Sequence, residues 1–135
     1  MTIDFQVIPH RRQRYDTVGD YYRQRRFTDS WCFRVSKLGD RRYEVLVFLH
    51  EIIEFMLCRM AGVKLKEIDR FDTKYEASRE SFSTADCGCA HYEEPGDDPH
   101  APYYLPHQTA TKCERLIATA MGVNWKNYNE AVNSL

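Results

Sequence analysis

His50, Glu51 and Glu54 sit in the middle of Val45–Ala61, a stretch whose only other residue that is not apolar is Arg59. One imidazole and two carboxylates are the usual means of holding a divalent ion and of moving protons beside it. His50 and Glu54 are four residues apart. On a helix they therefore share one face, one above the other, while Glu51 lies about 100° round the axis. This is the layout of H-E-x-x-H with a carboxylate in place of the second histidine. His50 and Glu54 offer two ligands, and Glu51 is left to act as general base on a water that the ion acidifies. The carboxylate at position 54 keeps the metal open: Zn²⁺ comes first, and the harder ligand set also admits Mn²⁺, Fe²⁺ or Mg²⁺. A bland alternative exists, in which His50 meets solvent at a helix end and the glutamates pair with Arg59 or Arg41.

A third ligand must come from elsewhere. His107 is the first choice, because it opens a helix and borders an apolar face. Asp72 and Glu114 follow. Glu114 is seven residues from His107, two helical turns on, and is equally suited to holding a ligating imidazole from behind. A separate candidate is Cys87-Gly88-Cys89-Ala90-His91, which Cys113 or His100 would have to complete as a structural zinc site. The spacing fits no familiar knuckle, so incidental thiols in a loop are the preferred reading.

The positioning elements follow from periodicity. Ile3–Ile8, Thr17–Gln24 and Trp31–Lys37 read as strands, the last two as an antiparallel hairpin. Trp31, Phe33 and Val35 alternate with Cys32, Arg34 and Ser36, giving one apolar face. Asp40 is a good N-cap for a helix that runs to Ala61 and stops at Gly62. Further helices are predicted at Leu65–Arg79, from about Pro106 to Met121, and at Asn124–Asn133. On the first of these, Ile68, Phe71 and Tyr75 form the apolar face and Asp69, Asp72 and Glu76 its neighbour. Residues 81–104 are irregular, with EEPGDDP a turn sequence. The expected fold is α+β: a short antiparallel sheet of about three strands packed on three to four helices, in one domain over residues 1–135.

Composition narrows the function classes. The net charge of −1 argues against a global field for nucleic acid or membrane. Arg11, Arg12, Arg14, Arg23, Arg25 and Arg26, with Tyr21 and Tyr22 as stacking partners, could form a local nucleic-acid patch; a solvated strand face and turn is the preferred reading. The central helix is too short and too charged to span a bilayer. Met1–Pro9 carries Asp4 and no long apolar run, so no secretory signal is expected. Five cysteines, two of them in apolar helices, favour free thiols in a reducing cytoplasm.

Two resemblances bear on these residues. Glu51-x-x-Glu54 followed by Asp69-x-x-Asp72 resembles the paired acidic helices of MazG-type nucleotide pyrophosphatases, which would imply Mg²⁺ on those four carboxylates and leave His50 without a role. A short sheet followed by an HExxE helix resembles a minimal zincin. The segments RYEVLVFLHEIIEFMLC, IDRFDTKYE and DDPHAPYYLPHQTATKCERLI are similar to those of small phage and prophage proteins. That likeness implies a zincin-like core in the cytoplasm of an infected or lysogenic host. By it His50 and Glu54 match metal-ligand positions and Glu51 the base position. It implies a metal-dependent hydrolase, with peptides among the candidate substrates, or else a non-catalytic phage protein whose polar cluster or metal site is structural.

Overall fold

The architecture comes from a computed structural model that describes residues 1–25, 28–81 and 94–135, with the side chains of residues 79–81 left aside. Cys87, Cys89 and His91 therefore lie outside the described residues, as does Arg26. The fold is α+β. Three strands, β1 (Thr2–Ile8), β2 (Gly19–Arg23) and β3 (Ser30–Ser36), are followed by four helices: α1 (Arg41–Ala61), α2 (Leu65–Ser81), α3 (Tyr104–Ala120) and α4 (Trp125–Asn133).

The sheet order is β1-β3-β2. β2 and β3 form the expected antiparallel hairpin, with Tyr21 opposite Phe33. β1 joins parallel to β3, with Phe5 opposite Phe33, so the sheet is mixed where an all-antiparallel one was expected. The central strand is also buried on both faces. Phe33 and Val35 are fully buried against the helices, and Cys32 and Ser36 are fully buried as well. The connection from β1 to β2 covers that second face: His10 Nδ1 lies 2.9 Å from Ser36 Oγ, and Gln13 Nε2 donates to the same oxygen at 3.1 Å.

α1 is the spine. The Asp40 side chain accepts from the Arg42 N–H at 2.8 Å, and Gly62, at φ 76°, closes the helix by donating to the Arg59 and Cys58 carbonyls. That left-handed turn is one only glycine adopts cheaply. One side of α1 meets the sheet. There Phe55 makes edge contacts with Phe33 at 5.4 Å and Tyr21 at 5.2 Å, and Phe48 stacks on Phe5 at 4.3 Å. Truncating a fully enclosed ring such as Phe55 would cost about 3–5 kcal/mol. A second side of α1 meets α3 and α4, where Leu46 and Val47 pack with Ala118, Val123 and Tyr128. α3 starts two residues earlier than expected, at Tyr104. Pro106 thus lies within the first turn, where its missing N–H has no intrahelical acceptor to lose. Among the described residues no helix is long and apolar enough to cross a membrane.

Candidate metal centre

The four-residue spacing on α1 turns His50 and Glu54 toward α3, and α3 returns His107 and Glu114 to the same level. All four are buried, between 5 and 9% exposed. His50 Nε2 lies 3.1 Å from His107 Nδ1, His107 Nδ1 lies 3.0 Å from Glu54 Oε2, and His50 Nε2 lies 3.6 Å from Glu54 Oε2. Two ligands about 2.0–2.1 Å from a tetrahedral ion stand about 3.3–3.4 Å apart, so the triangle has the size that an ion requires. This buried His/Glu/His group could hold a metal ion.

Carboxylates stand behind both rings of the triangle. His50 Nδ1 lies 3.0 Å from Glu114 Oε2, and Glu114 in turn accepts a short hydrogen bond from the Tyr128 hydroxyl. His107 Nε2 lies 3.3 Å from Glu94 Oε2 and 3.6 Å from Asp97 Oδ1. Each ring thus sets its outer nitrogen beside a carboxylate, the arrangement that orients metal-bound imidazoles. With the outer nitrogens protonated, the inner nitrogens would present lone pairs to one another and to a carboxylate oxygen. A cation at their centre would satisfy all three atoms at once.

The electrostatics agree. Burial alone would push the His50 pKa down, but the Glu114 and Glu54 carboxylates overcome it and raise it to about 10. Burial likewise opposes ionisation of His107, and Asp97, Glu54 and Glu94 carry it up to about 12. The carboxylate field therefore favours positive charge at the two rings. Two imidazolium rings would set N–H against N–H across 3.1 Å. One divalent ion between neutral rings would supply that charge without the conflict.

No family model, curated protein or solved structure matches the chain.

The site lies in a cleft of about 1000 Å³, and Glu51 lines it together with His50, Glu54 and His107. Glu51 makes no hydrogen bond or ion pair among the described residues. Burial, and then the neighbouring Glu54, hold its carboxyl well above the ordinary range, against the pull of His50. Two glycines let the backbone close around the site. A Cβ on Gly19 would fall 2.2 Å from Glu51 Oε1, and one on Gly96 would fall 2.4 Å from the His107 ring.

Of the sequence candidates, His50, Glu54 and His107 converge. Glu114 stands behind His50 rather than in the triangle. Asp72 is buried nearby but accepts a 2.5 Å hydrogen bond from Tyr103, and burial raises its pKa to about 7. Asp69 pairs with Arg14 at 3.4 Å. Neither aspartate falls within the group that could hold an ion. Arg59 pairs with Asp29 at 2.8 Å rather than with the glutamates, and His50 is interior, so the bland alternative is not what the fold adopts. Tyr21 is buried, and Arg14 is bound to Asp20 at 2.7 Å, which removes two members from the arginine–tyrosine patch. His100 is exposed and contacts Asp98 at 2.9 Å, while Cys113 is a free thiol. Glu94, Asp97 and Tyr128 were missed. The acidity of EEPGDDP was the available signal, since a turn needs neither two glutamates nor two further aspartates.

Proposed function

We propose that this chain is a divalent-metal-dependent hydrolase acting on a peptide or another acyl bond, with His50, Glu54 and His107 holding the ion. One observation carries the reading: two imidazole lone pairs and a carboxylate oxygen converge 3.0–3.6 Å apart, each imidazole backed by its own carboxylate. Two histidines and one glutamate are the ligand set of several catalytic zinc sites, which supports Zn²⁺ as the first candidate. When bound, such an ion acidifies a water and polarises a substrate oxygen. The remaining work falls to the chain's own groups. Glu114 and the Glu94–Asp97 pair hold the two rings with their inner nitrogens deprotonated. The Glu51 carboxylate, unpartnered in the same cleft, accepts the proton of the attacking water and passes it to the leaving group. Its elevated proton affinity suits a base that must also give its proton back.

The same donor set serves non-haem Fe²⁺ enzymes. The free carboxylate of Glu51, positioned for proton transfer, favours hydrolysis over that chemistry. The test is Glu51→Gln, assayed for bound Zn²⁺ and for cleavage of a pool of fluorogenic peptides. The variant is expected to keep the ion and to lose activity by about 100-fold or more. Undiminished cleavage would overturn the role of Glu51. A wild-type protein that binds Zn²⁺ and cleaves no acyl bond would reduce the centre to a structural one.

A further inference from the structure

One edge of the sheet is open. β1 is an outer strand, and its register with β3 runs through Thr2–Ile8 without a bulge. The Thr2 N–H donates to the Asp29 carbonyl, and the Ile8 carbonyl accepts from the Lys37 N–H. The even residues of β1 therefore turn their backbone groups toward β3. Those of Ile3, Phe5 and Val7 point away from the sheet, and among the described residues they meet no backbone partner. The side chains of the same three residues lie on the face toward α1, yet Phe5 is 38% and Val7 42% exposed. Folded proteins blunt such an edge with lysine, proline, a bulge or a very short strand. TIDFQVI has none of these.

The opposite edge is capped. On β2 the Gly19 carbonyl accepts from Thr17 Oγ1 at 2.7 Å, and the Tyr21 carbonyl accepts from Arg14 Nη2 at 3.4 Å. The sheet thus offers β1 for pairing, and whatever covers it must bring an extended backbone. The sequence of β1 is complementary to itself. Laid antiparallel about Phe5, it sets Phe5 opposite Phe5 of a second copy, Ile3 opposite Val7, and Asp4 opposite Gln6. The outward N–H and C=O groups of Ile3, Phe5 and Val7 then bond in both directions across a two-fold axis. Apolar side chains meet on the α1 side. On the other side each carboxylate meets an amide, a pairing that Gln6 Nε2 and Asp4 Oδ2 already make within one chain at 2.6 Å. A register centred on Asp4 would set carboxylate against carboxylate, which is destabilising.

We propose that the β1 edge is a dimer interface, at which two copies of this chain join β1 to β1, antiparallel about Phe5, into one continuous sheet. The partner is a second copy because the charges and apolar positions of the strand match those of its own two-fold mate. Assembly stops at two, since pairing uses up both β1 edges and leaves only the capped β2 edges outside. The proposal stands independently of the metal-centre reading.

Sedimentation of the full chain over a wide concentration range, with residue-resolved amide hydrogen exchange, tests it. The expected result is a monomer–dimer equilibrium. In the dimer the amides of Ile3, Phe5 and Val7 should exchange slowly, as those of Asp4 and Gln6 already do in the monomer. Val7→Lys sets a lysine opposite Ile3 at two symmetry-related places and should weaken the dimer by about 100-fold. Its Tm, compared under conditions where both proteins are monomeric, should stay close to that of wild type, because the Val7 side chain is exposed. A chain that remains monomeric throughout overturns the proposal and leaves the edge to a strand of another protein. So does a dimer in which the three amides exchange as fast as in the monomer, or one that Val7→Lys leaves intact. Should Val7→Lys fail to fold, the exchange pattern of the wild type decides alone.

Discussion

Gly96→Ala replaces one hydrogen by a methyl group and should disable the centre. Gly96 is buried in the short turn Pro95–Asp97 that presses on α3. Its backbone is not in the positive-φ region, so alanine adds no conformational strain there. The added Cβ, however, would lie 2.4 Å from His107 Cγ, 2.5 Å from Nδ1 and 2.8 Å from Cδ2. Ordinary van der Waals contact begins near 3.4 Å, so the ring must retreat by about 1 Å. A metal site tolerates about 0.2 Å in a ligand distance, and Nδ1 is the ring atom that faces His50 and Glu54. Losing one of three protein ligands should weaken Zn²⁺ binding by about 100-fold or more, while overpacking lowers stability by about 1–3 kcal/mol. Calorimetric titration with Zn²⁺ and a thermal melt of the metal-free variant measure the two effects separately. Wild-type Zn²⁺ affinity in a folded Gly96→Ala protein would refute the placement of His107 as a ligand.

Two other substitutions probe neighbouring parts of the cleft. Gly19→Ala drives a methyl to within 2.2 Å of Glu51 Oε1, the end of a side chain that can swing aside. It should therefore keep Zn²⁺ affinity within a fewfold and cut hydrolysis about as deeply as Glu51→Gln; loss of the ion would show that Gly19 shapes the ligands instead. Asp72→Asn tests the buried carboxyl beside Tyr103. With its folded pKa near 7, well above the unfolded value, Asp72 binds its proton more tightly in the native state. Wild-type stability is thus lost as pH rises from about 4 through 7, by an amount on the order of 4 kcal/mol. Asparagine can still accept from Tyr103 and has no such term, so the Tm of the variant minus that of wild type should grow between pH 4.5 and pH 8. A difference that stays flat across that range contradicts the assignment.

Much of this site could be read from the sequence because it is built from local rules. The spacing of His50 and Glu54 sets their shared face, and Asp40 and Gly62 mark the ends of the helix that bears them. His107 and Glu114 align because they are two turns apart on α3, although only the packing decides that His107 enters the triangle while Glu114 stands behind His50. Other features depend on tertiary choices that no local pattern encodes. β1 pairs parallel to β3 because the His10–Arg12 turn carries the chain across the outer face of the sheet, and that crossing also buries Ser36, which alternation alone would expose. Glu94 and Asp97 lie in a segment whose Pro and Gly speak only for a turn, and their role appears once the turn docks on His107.

The central claim is that three buried acceptors are held together by a divalent ion. Zn²⁺ titrated into protein stripped by a chelator, wild type beside His107→Ala, tests it directly. The account predicts one ion per wild-type chain, bound with release of protons and with a Tm several degrees higher at saturation, and no comparable site in His107→Ala. A wild-type chain that takes up no ion, or an alanine variant that binds it equally well, would contradict the account.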